Sequence, residues 1–133
     1  MATETKDSAD AAMEPLDYFP HDADAMRDPK CLRLLRRSGM AGYGRWMRLC
    51  ELMAAARGHH VPFATEEDVR LVADEIDCGA RGARTFVATL ADVGLIDGES
   101  LREGTIYSER MGRNALEVGR RKAAGSSRRR TGP

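Results

Sequence analysis

The stretch Gly39-Met40-Ala41-Gly42-Tyr43-Gly44-Arg45-Trp46-Met47-Arg48-Leu49-Cys50-Glu51-Leu52-Met53 limits the fold more than any other part of the chain. Tyr43, Trp46, Met47, Cys50, Met53 and Ala54 recur at i, i+3, i+4, i+7, i+10 and i+11. That spacing gathers side chains on one face of an α-helix. Trp46 is the only tryptophan, and a buried indole removes more apolar area from water than any other side chain, so the core is expected to form around it. Leu49 and Leu52 widen the stripe, which implies neighbours on more than one side. Gly39, Gly42 and Gly44 crowd the start of this helix and suit a tight entry from a preceding helix or a close backbone approach.

A chain of 133 residues with only 5% aromatics can support one domain whose core relies on aliphatic and methionine side chains. Residues 1–15 are small, polar and acidic, and read as a disordered N-terminus. The folded domain is expected over residues 16–112, and residues 113–133 read as a basic, disordered tail. The formal net charge of zero conceals a polarity: residues 1–28 carry eight acids against two bases, and residues 110–133 carry eight bases against one acid. A basic C-terminal end points to nucleic acid or an acidic partner. Cys31, Cys50 and Cys78 are isolated within apolar helical patterns, which suits buried free thiols in a reducing compartment and neither a disulfide framework nor a zinc site. No apolar run reaches spanning length and no signal pattern opens the chain, so a cytoplasmic protein without membrane contact is expected.

In chain order, Leu16, Tyr18 and Phe19 form the first apolar cluster, expected to tuck against the helices. Asp28-Pro29 marks a helix start, Asp as N-cap and Pro at the first helical position. This helix sets Cys31, Leu32, Leu34 and Leu35 against Lys30, Arg33, Arg36 and Arg37, and Ser38-Gly39 ends it. The central helix runs to about Arg57. His60 to Phe63 is a short extended piece, and Thr65 caps a helix that buries Val69, Val72, Ala73 and Ile76. A further helix over about residues 80–92 buries Ala83, Phe86, Val87, Leu90 and Ala91, with Gly94 as its stop. Leu95-Ile96-Asp97 and Thr105-Ile106-Tyr107-Ser108 read as two strands of a hairpin around the loop 98–104.

Short helices followed by one β-hairpin give a mainly α fold with a small β-hairpin, the element order of a winged helix-turn-helix. The helices over 66–76 and 80–92 would form the helix-turn-helix, residues 98–104 the wing tip, and His60 to Phe63 the small third strand. Tyr18-Phe19-Pro20-His21-Asp22, Asp28-Pro29-Lys30, the Gly39 to Trp46 run, Leu95-Ile96 and Ile106-Tyr107-Ser108 resemble an N-terminal domain of phage and prophage proteins. That domain is related to phage replisome-organiser and DnaD-like replication-initiation N-terminal domains. The resemblance covers about residues 16–112. It implies a winged-helix fold, a role in phage-type DNA replication or its regulation, and self-association as much as DNA contact, with replication proteins as further partners.

Arg81 and Arg84 lie three apart on the proposed recognition helix and share a face, with Thr85 beside them. Arginine there can contact guanine edges or phosphates. Arg102 lies in the wing. Arg120, Arg121, Lys122, Arg128, Arg129 and Arg130 would supply salt-sensitive phosphate contacts from the tail. A solvated surface is the competing reading for each group. His59-His60 has no third ligand at recognisable spacing, so neither metal nor cofactor is expected. No Gly-rich phosphate loop, nucleophile elbow or zinc-finger spacing occurs, and an enzyme is not expected. The alternative to a DNA-binding module is a protein-interaction or homo-oligomerising winged helix with little intrinsic DNA affinity.

Overall fold

Asp28 and Pro29 start the longest element as their types dictate. The Asp28 carboxylate accepts from the Lys30 amide at 2.8 Å and Pro29 occupies the first turn, where its missing N–H costs nothing. The computed structural model describes the backbone of residues 10–131 and the side chains of residues 10–122, 124 and 125. Helix α1 spans Pro29–Ala55 and bends at Gly39, whose φ of 65° and ψ of −167° only glycine adopts without strain. The two arms are the two helices expected from the sequence. A short 3₁₀ turn, Arg57–His59, leads into strand β1, Val61–Pro62.

Helix α2, Glu66–Glu75, opens with a capping box. The Asp68 amide donates to Thr65 Oγ1 at 3.0 Å, and the Asp68 carboxylate accepts from the Thr65 and Ala64 amides. Helix α3, Ala80–Val93, ends on Gly94 in the left-handed region at φ 88°. Helix α4, Gly98–Arg102, strand β2, Thr105–Ile106, and helix α5, Glu109–Thr131, complete the order. The strands pair antiparallel, with Val61 opposite Ile106 and Pro62 opposite Thr105.

The core sits where α1, α2, α3 and the start of α5 meet. Leu34, Leu49, Met53, Val87, Leu90 and Ile106 are fully enclosed, and Trp46 is 7% exposed. Val69, Val72, Ala73 and Ile76 from α2, and Ala83, Phe86, Val87 and Leu90 from α3, are buried as their periodicity requires. Leu16 is buried and Phe19 half-buried, but Tyr18 stays 54% exposed and Leu32 41% exposed, outside the core expected for them. Cys31 and Cys50 are buried free thiols, and burial pushes Cys50 up to about 12.

Two expectations need correction. The hairpin does not form between Leu95-Ile96-Asp97 and the 105–108 segment. The Leu95 and Ile96 amides turn back to the Leu90 carbonyl at 2.9 and 3.4 Å, closing the end of α3, so they cannot offer a strand ladder. Asp97 then accepts from the Ser100 amide and hydroxyl and caps α4. The stretch read as a wing tip is thus largely one helical turn, and the partner of β2 is β1. A single backbone bond, Asp97 amide to Tyr107 carbonyl at 2.8 Å, is what joins the 95–97 segment to the strand side.

The second correction concerns the ends. Met111, Ala115 and Val118 of α5 are buried, so packing continues beyond residue 112 into the stretch read as a disordered tail. Those three positions repeat at i, i+4 and i+7, a helical stripe. Residues 10–13, from the stretch read as a disordered N-terminus, are helical; residues 1–9 lie outside the described residues. Buried His59 anchors them: its Nδ1 lies 3.0 Å from the Met53 carbonyl and its Nε2 2.7 Å from the Ala12 carbonyl. Among the described residues no helix is long and apolar enough to cross a membrane.

Candidate nucleic-acid interface

The two-helix unit α2–turn–α3 carries Arg81, Arg84 and Thr85. Its apolar stripes face α1 and each other, which forces the remaining face of α3 outward. Arg81, Arg84, Thr85 and Ala88 are all exposed on that face. The turn at Ile76-Asp77-Cys78-Gly79 is tight: Asp77 takes φ 57°, and the Cys78 amide returns to the Ala73 carbonyl at 3.0 Å.

Arg45 of α1 fixes that turn. Its Nε donates to the Ile76 carbonyl at 2.9 Å and a terminal nitrogen donates to the Asp77 carbonyl at 3.1 Å. One guanidinium thereby satisfies two carbonyls at the exit of α2, where no helical partner exists. Periodicity alone gives Arg45 no task, because it falls outside the apolar stripe of its helix. Its neighbour Trp46 faces the core, so Arg45 stands at the edge of the buried stripe, in reach of the turn.

The individual cations differ in how free they are. Arg84 pairs with Glu66 of α2. Thr85 Oγ1 donates to the Arg81 carbonyl at 3.2 Å, a bond within its own helix. Arg81 has no side-chain partner among the described residues. Arg102 is exposed on α4, which packs against α3 and β2. It adds to the effect of the Ser100 hydroxyl and amide, which hold the Asp97 carboxyl below its ordinary value. Arg120 and Lys122 are exposed on α5, while Arg121 pairs with Glu117 one turn back at 2.8 Å. The side chains of Arg128, Arg129 and Arg130 lie outside the described residues. The candidate residues therefore occupy three elements: α3 carries a contiguous trio, α4 a single cation beside its end, and α5, which packs on α1, the remainder.

The basic side of the first arm of α1 has a structural use. Arg33 donates to the Val93 carbonyl at 3.1 Å, Arg37 lies 3.5 Å from the Asp92 carboxylate, and the Lys30 stem packs over Gly94. These cations gather at the C-terminal end of α3, the negative end of its dipole. Arg36 is exposed and has no partner among the described residues. His60 and Tyr107, which flank the paired strands, stack with centroids 4.2 Å apart and planes 9° apart, and His60 Nδ1 lies 2.9 Å from Thr105 Oγ1. Sequence reasoning had no signal for this pair, since the residues lie far apart in the chain.

Residues 18–111 match the family described as Lin1244/Lin1753-like, N-terminal. The matched stretch runs from the exposed Tyr18 to buried Met111 in the first turn of α5, and so takes in α1 to α4, both strands and the clamped turn. No curated protein and no solved structure gives a match. The chain belongs to the Lin1244/Lin1753-like N-terminal domain family.

Proposed function

We propose that this family member is a non-enzymatic, cytoplasmic winged-helix module that contacts DNA in phage-type replication initiation or its regulation. The observation that carries the reading is the face of α3. A two-helix unit with a clamped turn leaves Arg81, Arg84 and Thr85 together and outward, the placement a recognition helix needs. The pairing of β1 with β2 around α2 and α3 supports the winged-helix assignment, with α4 standing in for an extended wing. The process rests on the resemblance of the Gly39 to Trp46 run to a phage and prophage N-terminal domain that is itself related to replisome-organiser and DnaD-like domains.

Fluorescence anisotropy on labelled duplexes tests the reading. The intact chain should bind at low salt and lose affinity as salt rises. Arg81→Ala with Arg84→Ala should cost about 1–3 kcal/mol for each base contact on a preferred site and less on other duplexes. Replacing Arg120, Arg121 and Lys122 by glutamine should weaken all duplexes alike and flatten the salt slope by about 0.9 for each phosphate no longer neutralised. Neutralisation keeps the fold intact, whereas a cut at residue 113 would remove Ala115 and Val118 from the core. Absence of binding to any duplex at low salt would overturn the reading.

A second reading is favoured by the surface of α2. Glu66 and Glu67 are exposed, Glu66 holds Arg84, and Leu71 is 60% exposed. Acids beside a recognition helix oppose DNA, and an exposed leucine among them suits a protein surface or a second copy of the chain. Sedimentation showing self-association that Leu71→Glu abolishes, together with no duplex binding, would establish this reading in place of the first.

A further inference from the structure

A cleft of about 490 Å³ lies between the arm over residues 19–28, α1, the 94–98 loop and the start of α5. That volume is in the range of small-molecule sites. Its inner wall is apolar, with Trp46, Met47 and Leu95 among the lining residues. Its mouth carries Arg110 and Arg113 three apart on α5, hence on one face of that helix. A carboxylate of the chain already sits there: Asp22 pairs with Arg110, and both side chains are about half exposed.

The lining sets four carboxylates, Asp22, Asp28, Asp97 and Glu109, against three cations, Lys30, Arg110 and Arg113, and the point where an anion is held is the arginine pair on α5. Asp28 is engaged by the Lys30 amide and Asp97 by Ser100. Glu109 lies at the N-terminal end of α5, where the helix dipole offsets its charge. Arg113 has no side-chain partner among the described residues, and Lys30 adds a further cation to the lining. An ammonium ligand would meet these cations at the point where Asp22 now sits.

We propose that this cleft binds a small carboxylic acid with an apolar body. The carboxylate takes the place of Asp22 on Arg110 and reaches Arg113, and the hydrocarbon lies along Trp46, Met47 and Leu95. Displacing Asp22 loosens the arm that carries it, which is also held by the contact between His21 Nε2 and the Tyr43 hydroxyl at 3.2 Å and by Phe19 packed on the core. The site uses none of the α3 residues offered for DNA, so it stands or falls apart from them.

Trp46 lines the cleft and is the only tryptophan, so its emission reports occupancy of the full-length chain directly. Decanoate, kept below its micellar concentration, should change that emission saturably with one site per chain. Decanol and decylamine should bind at least tenfold more weakly. Arg110→Gln with Arg113→Gln should weaken decanoate at least tenfold. Asp22→Asn should tighten it several-fold because the competing carboxylate is gone, a gain that a misfolded variant could not produce. A response that never saturates, decanol or decylamine binding as tightly as decanoate, or an Asp22→Asn variant that binds no tighter would each overturn the proposal.

Discussion

Replacing Arg45 with methionine keeps most of the aliphatic stem and removes the guanidinium that holds the turn between α2 and α3. The Ile76 carbonyl is part-buried and accepts at 2.9 Å, while the Asp77 carbonyl is exposed and can turn to water. Most of the loss should therefore come from Ile76. A hydrogen bond to a charged group contributes about 1.5–3 kcal/mol, and the water-accessible partner adds little, so Arg45→Met should cost about 1.5–3 kcal/mol in all. For a domain of this size, about 4 °C per kcal/mol places the fall in melting temperature at roughly 6–12 °C. Arg45→Lys, a point charge that reaches one carbonyl at a time, should recover about half. Urea unfolding should show a lower midpoint at unchanged slope, since the surface exposed on unfolding is unaltered. A melting temperature within about 2 °C of the parent for Arg45→Met would refute the clamp, because a loss that small corresponds to about 0.5 kcal/mol, the scale of an ordinary surface substitution.

Other outcomes follow from the same geometry. Trp46→Ala should cost about 3–5 kcal/mol in urea unfolding, the range for deleting a buried aromatic side chain. The Thr65 and Ala64 amides hold Asp68 below its ordinary 3.8, and the Ser100 hydroxyl and amide do the same for Asp97. Lowered folded-state values mean this stabilisation is complete above the unfolded value and lost as pH falls through the lowered one, so Asp68→Asn with Asp97→Asn should flatten the loss of stability below about pH 4 in thermal melts at stepped pH. Arg33→Ala should fray the end of α3 first, seen as faster amide exchange at Leu95 and Ile96 than at Val69 and Val72.

The helices were legible because their signals are local. Asp28-Pro29, Thr65 with Asp68, and Gly94 each act within one turn of chain, and the stripes of α2 and α3 need only periodicity. His60 to Phe63 could be read as a small strand, but that it, and not Leu95-Ile96-Asp97, pairs with the 105–106 strand was not legible. Val61 and Ile106 are far apart in sequence, and their strands are too short for alternation to show. Leu95-Ile96-Asp97 misled because a β-branched residue between an apolar and a polar one fits a strand. The competing cue, Asp97 with Ser100 three residues on, is the capping signal that prevailed. The α5 stripe was masked by composition, since the cations around Ala115 and Val118 gave the segment the look of a tail. At the candidate interface, Arg81, Arg84 and Thr85 could be set on one face from spacing alone. That Glu66 would hold Arg84 could not, because that pair depends on how α2 crosses α3.

The Gly39 to Trp46 run shows why a short motif can carry so much of a fold. Five of its residues each have a separate task. Gly39 supplies the bend, and a Cβ on buried Gly42 would run into the Ser38 Cβ of the preceding arm. Tyr43 reaches the arm through His21, Arg45 reaches the α2–α3 turn, and Trp46 fills the core. Because α1 touches α3, α5 and the 19–28 arm and bends at Gly39, the orientation of the α3 face and the width of the cleft depend on the same bend. A substitution at Gly39 acts on both at once: any other residue at φ 65° is strained, and relief of that strain re-aims the second arm with Arg45 and Trp46 attached. Duplex binding and Trp46-reported decanoate binding should then move together in Gly39→Val, whereas Arg81→Ala should change the first and leave the second intact.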